Sequence, residues 1–273
     1  MTSRRYDAGR PARAPQQDDR PQGPPRRRGQ RWTKRSGRRP GEMSRNARDV
    51  ERRDGRREGR MSEREQLFDD WAESYDEVTE SPQHPFPHGG YDQVLGEVVK
   101  RAAGTPGQLV LDLGIGTGKL AVKLAGLGCS IWGADFSAEM LAQARAKLPE
   151  AVLVQTNLAE EWPAALERRF DRIVSSYVLH EFDLEAKVEI LRRAAAHLAP
   201  GGRIVIGDIA FRTAAERETA RDRWYERWDD DEWYWAADEA IPALAAAGLQ
   251  ARYVQVSECG GVFAVTPQAH PTP

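Results

Sequence analysis

The chain has 273 residues with 40 basic and 42 acidic side chains, which give a net charge of only −2 at neutral pH. No apolar run approaches the roughly 18 residues of a membrane span, and the amino terminus lacks the apolar segment of a secretory signal. These features argue against a membrane-spanning or secreted protein, and a cytoplasmic location is expected.

The charge is unevenly distributed along the chain. Residues 1–60 carry 20 basic and 8 acidic side chains, hence +12, whereas residues 61–273 carry 20 basic and 34 acidic ones, hence −14. Residues 1–60 are rich in Arg, Pro and Gly and have few large apolar side chains to offset the entropy of ordering, so a disordered tail is predicted. Residues 61–273 suit one domain. One hypothesis is that translation begins at Met61 and that the tail is an upstream extension.

Helices and strands alternate in the predicted domain. A helix is predicted from Met61, and a second over 91–103 follows a Pro- and Gly-rich loop at 81–90. Ser137 and Asp183 are predicted helix N-caps. Strands are predicted near 108–113, 129–134, 151–155, 170–175 and 202–207, and further helices near 118–127, 137–148, 160–168, 183–198 and 237–247.

This alternation is typical of a parallel sheet covered by helices on both faces. The end of the chain differs, because segments 249–257 and 260–265 are joined by a short turn that contains glycine. Such a turn favours a hairpin, so one of the last two strands should run antiparallel to the rest.

The segment Leu111–Leu120, LDLGIGTGKL, joins a strand to a helix through three glycines and carries an acid, Asp112. Glycine turns of this kind bring the polar end of a nucleotide-like cofactor to a helix N-terminus. The third glycine comes one residue earlier than in the dinucleotide pattern G-x-G-x-x-G. A carboxylate beside a pyrophosphate is unfavourable by about 1 kcal/mol or more, whereas beside an ammonium and a sulfonium it is attractive. The pattern therefore favours S-adenosylmethionine over NAD.

Together with FDDWAESYDE at 68–77 and GADFSAEM at 133–140, this loop resembles the class I S-adenosylmethionine-dependent methyltransferases. The likeness covers residues 63–266, and the chain is most similar to the YrrT-type small-molecule methyltransferases of Gram-positive bacteria. The resemblance implies an α/β fold with a Rossmann-like, seven-stranded, mostly parallel sheet, a C-terminal antiparallel hairpin, and helices on both faces.

The resemblance also implies residues that bind the cofactor. Asp112 would meet the amino group of the cofactor, and Asp135, which ends the second strand, would reach both ribose hydroxyls. Phe136 would offer apolar surface to the adenine. The glycine loop would wrap the methionine part through Gly114, Gly116 and Gly118.

After the third strand, Asn157 stands where the family usually has Asp, and Leu158 follows it. The amide oxygen of Asn157 can accept from the adenine amino group, and its nitrogen can donate to a ring nitrogen. The alternative is that Asn157 is a loop residue that satisfies its own backbone.

No catalytic residue and no metal ligand are assigned from the sequence. His180, next to Glu181, is a candidate general base, although a packing or capping role is the alternative. Methyl transfer to sulfur or to an unprotonated amine needs no base, because alignment and desolvation supply the rate. The segment from Trp224 to Trp235 is interpreted either as a helix that packs its aromatic side on the domain around a solvated acidic turn, or as a lid that favours a cationic acceptor.

Cys129 and Cys259 show neither C-x-x-C nor metal-ligand spacing, so buried free thiols are predicted. The predicted function is metal-independent methyl transfer from S-adenosylmethionine to a small-molecule acceptor, whose identity stays open, as does the oligomeric state. A nucleic-acid methyltransferase is one alternative, although the fourth strand ends in SSYV rather than in an Asn/Asp-Pro-Pro-aromatic run. The Arg-rich tail attracts phosphate without specificity, so specific nucleic-acid binding is not expected. Two further alternatives are a non-catalytic protein that binds the cofactor and a dinucleotide oxidoreductase.

Overall fold

The computed structural model describes residues 86–268. The tail at 1–60, the helix from Met61 and the segment 68–77 lie outside the described residues. The helices are α1 (Tyr91–Ala102), α2 (Lys119–Ala125), α3 (Ala138–Lys147), α4 (Leu184–Ala196), α5 (Ala214–Arg223) and α6 (Ala237–Ala246). The strands are β1 (Leu109–Leu113), β2 (Ser130–Asp135), β3 (Val152–Gln155), β4 (Phe170–Ser176), β5 (Leu198–Phe211), β6 (Trp235–Ala236), β7 (Leu249–Gln255) and β8 (Gly260–Pro267).

Seven strands form one sheet in the order β3-β2-β1-β4-β5-β8-β7, and β6 pairs with the end of β5. Strand β8 runs antiparallel to both of its neighbours, whereas the pairs from β3 to β5 are all parallel. This arrangement confirms the predicted fold class and the C-terminal hairpin. The strand order reverses between β1 and β4, and sheets of this kind bind ligands at the carboxyl ends of the strands beside such a reversal.

The core has two halves because successive strand residues point to opposite faces of the sheet. Val205 of β5 belongs to the half that packs under α1, α2 and α3, whereas Ile206 belongs to the half that packs under α4 and α6. Helix α1 shows why these segments fold: Val94 and Val98, one turn apart, have no exposed surface. Burial of such a side chain contributes about 1.5–3 kcal/mol. None of the helices within 86–268 is long and apolar enough to cross a membrane.

The helix predicted at 160–168 is wrong. Only Ala164–Leu166 form a single 3₁₀ turn. Pro163 has no N–H to donate and disfavours helical backbone at Trp162 before it. The indole of Trp162 instead donates to the carbonyl of Leu158 at 3.2 Å, which holds this connection against the domain.

The interpretation of the aromatic segment as a helix is also wrong, because α5 ends at Arg223 and turns follow it. Phe86 stacks on Trp224 and Trp228 with ring centroids 5.7 and 5.6 Å apart, so the expected packing of the aromatic rings on the domain is confirmed. The acidic run 229–232 lies in these turns, where its like charges are spread more easily than in a helix. Helix α5 itself was not predicted, although Thr213 caps it by accepting from Glu216 N at 3.1 Å.

Candidate functional site

The glycine loop lies at the carboxyl end of β1 and leads into α2. Gly114, Gly116 and Gly118 have φ values of +69°, +52° and +86°, a region that other residues adopt only with strain. A Cβ atom at Gly114 would lie 2.3 Å from Cγ2 of Val178, whereas one at Gly116 would meet no atom of residues 86–268 within 4 Å. Among residues 86–268, the loop is therefore packed tightly against the turn that follows β4 and is open above Gly116.

Asp112 is buried one residue before the end of β1, with 1% of its surface exposed. Within residues 86–268, neither of its carboxylate oxygens has a hydrogen-bond partner. Burial, and then the charge of Asp135, raise the pKa of Asp112 well above its usual range. A buried polar group without a partner is costly, and a cation would remove that cost. The two carboxylate oxygens of Asp112 thus fit a ligand that carries an ammonium group.

Asp135 ends β2 and ties the glycine loop to α3. Its Oδ2 accepts from Gly116 N at 2.8 Å, and its Oδ1 accepts from Ser137 N at 3.0 Å. Ser137 caps α3 by accepting from Met140 N, as predicted. Each carboxylate oxygen accepts more than one hydrogen bond, so Asp135 can still accept from vicinal hydroxyls. The next residue, Phe136, is half-buried at the same edge of the sheet.

Asn157 and Leu158 lie just beyond the carboxyl end of β3. The side chain of Asn157 donates to Glu160 Oε1 at 2.8 Å and accepts from Ala159 N at 3.0 Å, so both of its ends are engaged within its own loop. Leu158 is buried in the core half under α4 and α6. In this arrangement Asn157 acts as a turn residue, and its oxygen has a lone pair left for a ligand.

The end of β4 closes over the glycine loop. Ser175 Oγ donates to the carbonyl of Leu113 at 2.8 Å, which joins β4 to β1 beside the loop. Tyr177 has a φ of +54°, an uncommon conformation for a residue with a side chain, and its ring stacks on Tyr91 at 4.7 Å. Such backbone strain costs about 1–3 kcal/mol and tends to occur at functional sites. The turn thus places an aromatic ring and Val178 next to the open loop.

His180 is held by a buried carboxylate. Asp208 of β5 accepts from His180 Nδ1 at 2.6 Å and from His180 N at 3.0 Å. It also accepts from Trp235 Nε1 and Ile209 N, so its four hydrogen bonds fix the turn after β4 to β5 and β6.

Burial alone would lower the pKa of His180, but the charges of Asp208, Glu232 and Glu181 outweigh it and raise that pKa to about 9. His180 is then an imidazolium at neutral pH and cannot accept a proton from an acceptor. The geometry thus favours a structural role over the general base that the sequence left open.

The sequence did not single out Asp208 or Lys187. Lys187 of α4 is almost fully buried, and its Nζ donates to the carbonyl of Trp233 and lies 4.3 Å from the ring centroid of Trp235. Burial lowers the pKa of Lys187 to about 8. One signal was available for Asp208, because it is the only acid in the apolar strand sequence RIVIGDIAF at 203–211.

Comparisons with known proteins agree with this geometry. The methyltransferase domain family matches residues 110–202, from β1 into β5. Proteins named uncharacterized methyltransferase from Geobacillus thermodenitrificans and Geobacillus kaustophilus are each 35% identical over 198 residues, which is 69% of this chain and 90% of each relative. These names do not include the YrrT type, which stays a prediction.

Solved structures share the fold. The DhpI–SAH complex has a TM-score of 0.58 at 20% identity and covers 76% of this chain and 96% of that chain. Magnesium protoporphyrin IX methyltransferase from Synechocystis PCC 6803 has a TM-score of 0.58 at 17% identity, covering 75% and 99%. Since the fold agrees and the first relative is 35% identical across 90% of its length, the chain belongs to the class I S-adenosylmethionine-dependent methyltransferases.

Proposed function

We propose that this methyltransferase transfers a methyl group directly to a small-molecule acceptor. The observation that carries the proposal is Asp112, a buried carboxylate without a hydrogen-bond partner in residues 86–268, beside an open glycine loop. When bound, S-adenosylmethionine supplies a methyl group on a sulfonium, which is already activated for transfer. The chain itself then has to bind and orient the cofactor and the acceptor, and to exclude water from them.

Each cofactor-binding residue has a separate task in this proposal. Asp112 binds the ammonium group, and the peptide groups of Gly114, Gly116 and Gly118 line the methionine part. Asp135 accepts from the ribose hydroxyls. The adenine then lies between Phe136 and the loop that follows β3, with Asn157 and Leu158 at its edge.

The acceptor side is formed by the turn after β4, where Tyr177 and Tyr91 stack. Two observations favour a small acceptor over a nucleic acid. The net charge of −14 on residues 61–273 repels a polyanion. In addition, the end of β4 and the turn after it have the sequence Ser-Ser-Tyr-Val, which lacks the paired prolines that would grip a base. Asp208 holds both the ring and the backbone of His180, and this structural role favours an acceptor that needs no protein base, such as a thiolate or an unprotonated amine. Cys129 and Cys259 are both buried and neither forms a disulfide, which supports a reducing, cytoplasmic location.

Calorimetry followed by an acceptor screen tests the proposal. The full chain should bind S-adenosylhomocysteine with one site, and a panel of small thiols, amines and hydroxyl compounds should yield S-adenosylhomocysteine as product with at least one class. Methylation of RNA or DNA with none of the small compounds would contradict the acceptor class. Cofactor binding without turnover on any acceptor would favour the non-catalytic alternative.

A further inference from the structure

A histidine nitrogen and two carboxylates converge just after β4. His180 Nε2 lies 3.8 Å from Glu181 Oε1 and 3.9 Å from Glu232 Oε1. One ligand-type atom from each of the three residues lies within 4.8 Å of the others. Glu181 belongs to the 3₁₀ turn after β4, whereas Glu232 comes 51 positions later, shortly before β6. The cluster therefore joins two segments at the carboxyl edge of the sheet.

His180 Nε2 is aimed into this cluster without a hydrogen bond of its own. The side chain of His180 is 8% exposed. Both distances to the carboxylates exceed hydrogen-bond range, and within residues 86–268 no other group bonds to this nitrogen. The separation leaves room for an ion between the three side chains. A buried ring nitrogen that faces two carboxylate oxygens at this distance suits a positive charge, which either a proton on the ring or a metal ion can supply.

The other ring nitrogen is held as it is in metal-binding histidines. Nδ1 bonds to Asp208 at 2.6 Å, and Asp208 is itself fixed by Trp235 and by two backbone N–H groups. When the ring is neutral, this hydrogen bond places the proton on Nδ1 and the lone pair on Nε2. A carboxylate behind the histidine is the usual partner of a metal ligand, because it fixes the orientation of the ring and raises its basicity.

We propose that His180, Glu181 and Glu232 bind one divalent transition-metal ion, Zn²⁺ or Mn²⁺, and that Asp208 orients the histidine. One imidazole and two carboxylates suit these ions better than Mg²⁺, which prefers oxygen ligands alone. At metal–ligand distances of about 2.1 Å, two ligands lie at most about 4.2 Å apart, so the widest separation has to close by roughly 0.6 Å or less. Rotation of the glutamate side chains covers that distance.

The proposal goes beyond the proposed function and does not depend on it. The sequence predicted no metal ligands because short His and Cys spacings mark only ligands that are close along the chain, and Glu232 lies 51 positions after Glu181. The glutamate side chains are 13% and 16% exposed, so the ion would keep a side open to water or to another ligand. A proton on Nε2 competes with the metal ion for this position, so the experiment has to distinguish a protonated ring from a metal-bound one.

The test titrates the untagged full chain, stripped with a chelator, with ZnCl₂ and MnCl₂ in a calorimeter. We expect one ion per chain with a Kd of about 10 μM or lower for at least one metal. Glu232→Gln and, separately, Glu181→Gln should weaken binding by at least about tenfold. Asp230→Asn is the matched control, since Asp230 lies on the same acidic run but pairs with Arg221 at 2.6 Å outside the cluster. It should retain the affinity of the unmodified chain.

Three results would overturn the proposal: no binding of either metal up to about 1 mM, equal affinity in both glutamate variants, or an equal loss in the Asp230→Asn control. Nitrogen NMR of the His180 ring distinguishes the competing occupant, because a ring that stays protonated in excess metal also overturns it. Binding of S-adenosylhomocysteine, measured in parallel, reports separately on folding and on the proposed function.

Discussion

Replacement of Asp112 by Asn is the sharpest test of the cofactor site. The substitution keeps the size of the side chain and removes its charge, so it isolates the electrostatic part of the interaction with the cofactor ammonium. A hydrogen bond to a charged group contributes about 1.5–3 kcal/mol. The Kd for S-adenosylhomocysteine should therefore rise by about 10- to 150-fold in Asp112→Asn.

The stability of the ligand-free protein should not fall together with the affinity for the ligand. The pKa of Asp112 is raised above its ordinary value of 3.8 by burial and by Asp135, so the folded chain holds this proton more tightly than the unfolded chain does. The contribution of Asp112 to the free energy of unfolding is then fully present below its pKa in the unfolded chain, and it is lost as the pH rises through its pKa in the folded chain. Since Asp112→Asn carries no charge, we expect its Tm at neutral pH, without ligand, to equal or exceed that of the unmodified protein.

Calorimetry with S-adenosylhomocysteine and ligand-free thermal unfolding check these two expectations together. Asp171→Asn is the matched control, because Asp171 is a strand carboxylate at the amino end of the sheet that accepts from Leu109 N at 2.8 Å. The control should bind the ligand normally. The reasoning is refuted if Asp112→Asn binds within twofold of the unmodified chain, or if it loses several degrees of Tm.

Three further outcomes follow from the same geometry. Asp135→Ala should lower both the affinity for the cofactor and the stability, the latter by about 2 kcal/mol because two backbone hydrogen bonds are lost. Asp135→Asn keeps one acceptor oxygen and should lose less of both. Equal calorimetric affinity and equal Tm for the two variants would contradict this expectation. Gly114→Ala should lower Tm by about 2–12 °C because its Cβ meets Val178, and a second change, Val178→Ala, should recover part of the loss. Cys129 and Cys259 should resist thiol reagents at pH 8 until the chain is unfolded, because burial raises the pKa of both and brings that of Cys259 to about 11. Rapid labelling of the native protein would show that the thiols are accessible.

The sequence predicted the sheet well because its strands are short apolar runs bounded by glycine or by helix caps. Strand β1 and helices α1 and α4 begin and end within two residues of their predicted bounds. The errors occur where tertiary packing, rather than the local sequence, determines the secondary structure. Pro163 and the indole of Trp162 prevent the helix at 160–168, and stacking of two tryptophans on Phe86 holds the aromatic segment in turns.

The candidate site was predicted only as far as local motifs reach. Asp112 and Asp135 lie at the carboxyl ends of consecutive strands and the glycines follow the first of them, so parallel topology alone brings them to one edge of the sheet. The link between His180 in the turn after β4 and Asp208 in β5 joins residues 28 positions apart, and no local pattern encodes it. The same holds for the approach of Glu232 to Glu181. Contacts of this kind depend on which strands become neighbours, and that is a property of the whole fold.

Two buried aspartates differ in whether their charge is used to support the fold or is left for a ligand. Asp208 receives four hydrogen bonds, and although burial would raise its pKa, the charge of His180 lowers it overall. Asp112 receives none within residues 86–268, and its pKa is raised. A carboxylate whose charge is already compensated inside the protein stabilises the fold and has little left for a ligand. One whose charge is not compensated destabilises the free protein and gains most from a cation, and this is the physical basis for proposing that Asp112 selects a positively charged methyl donor.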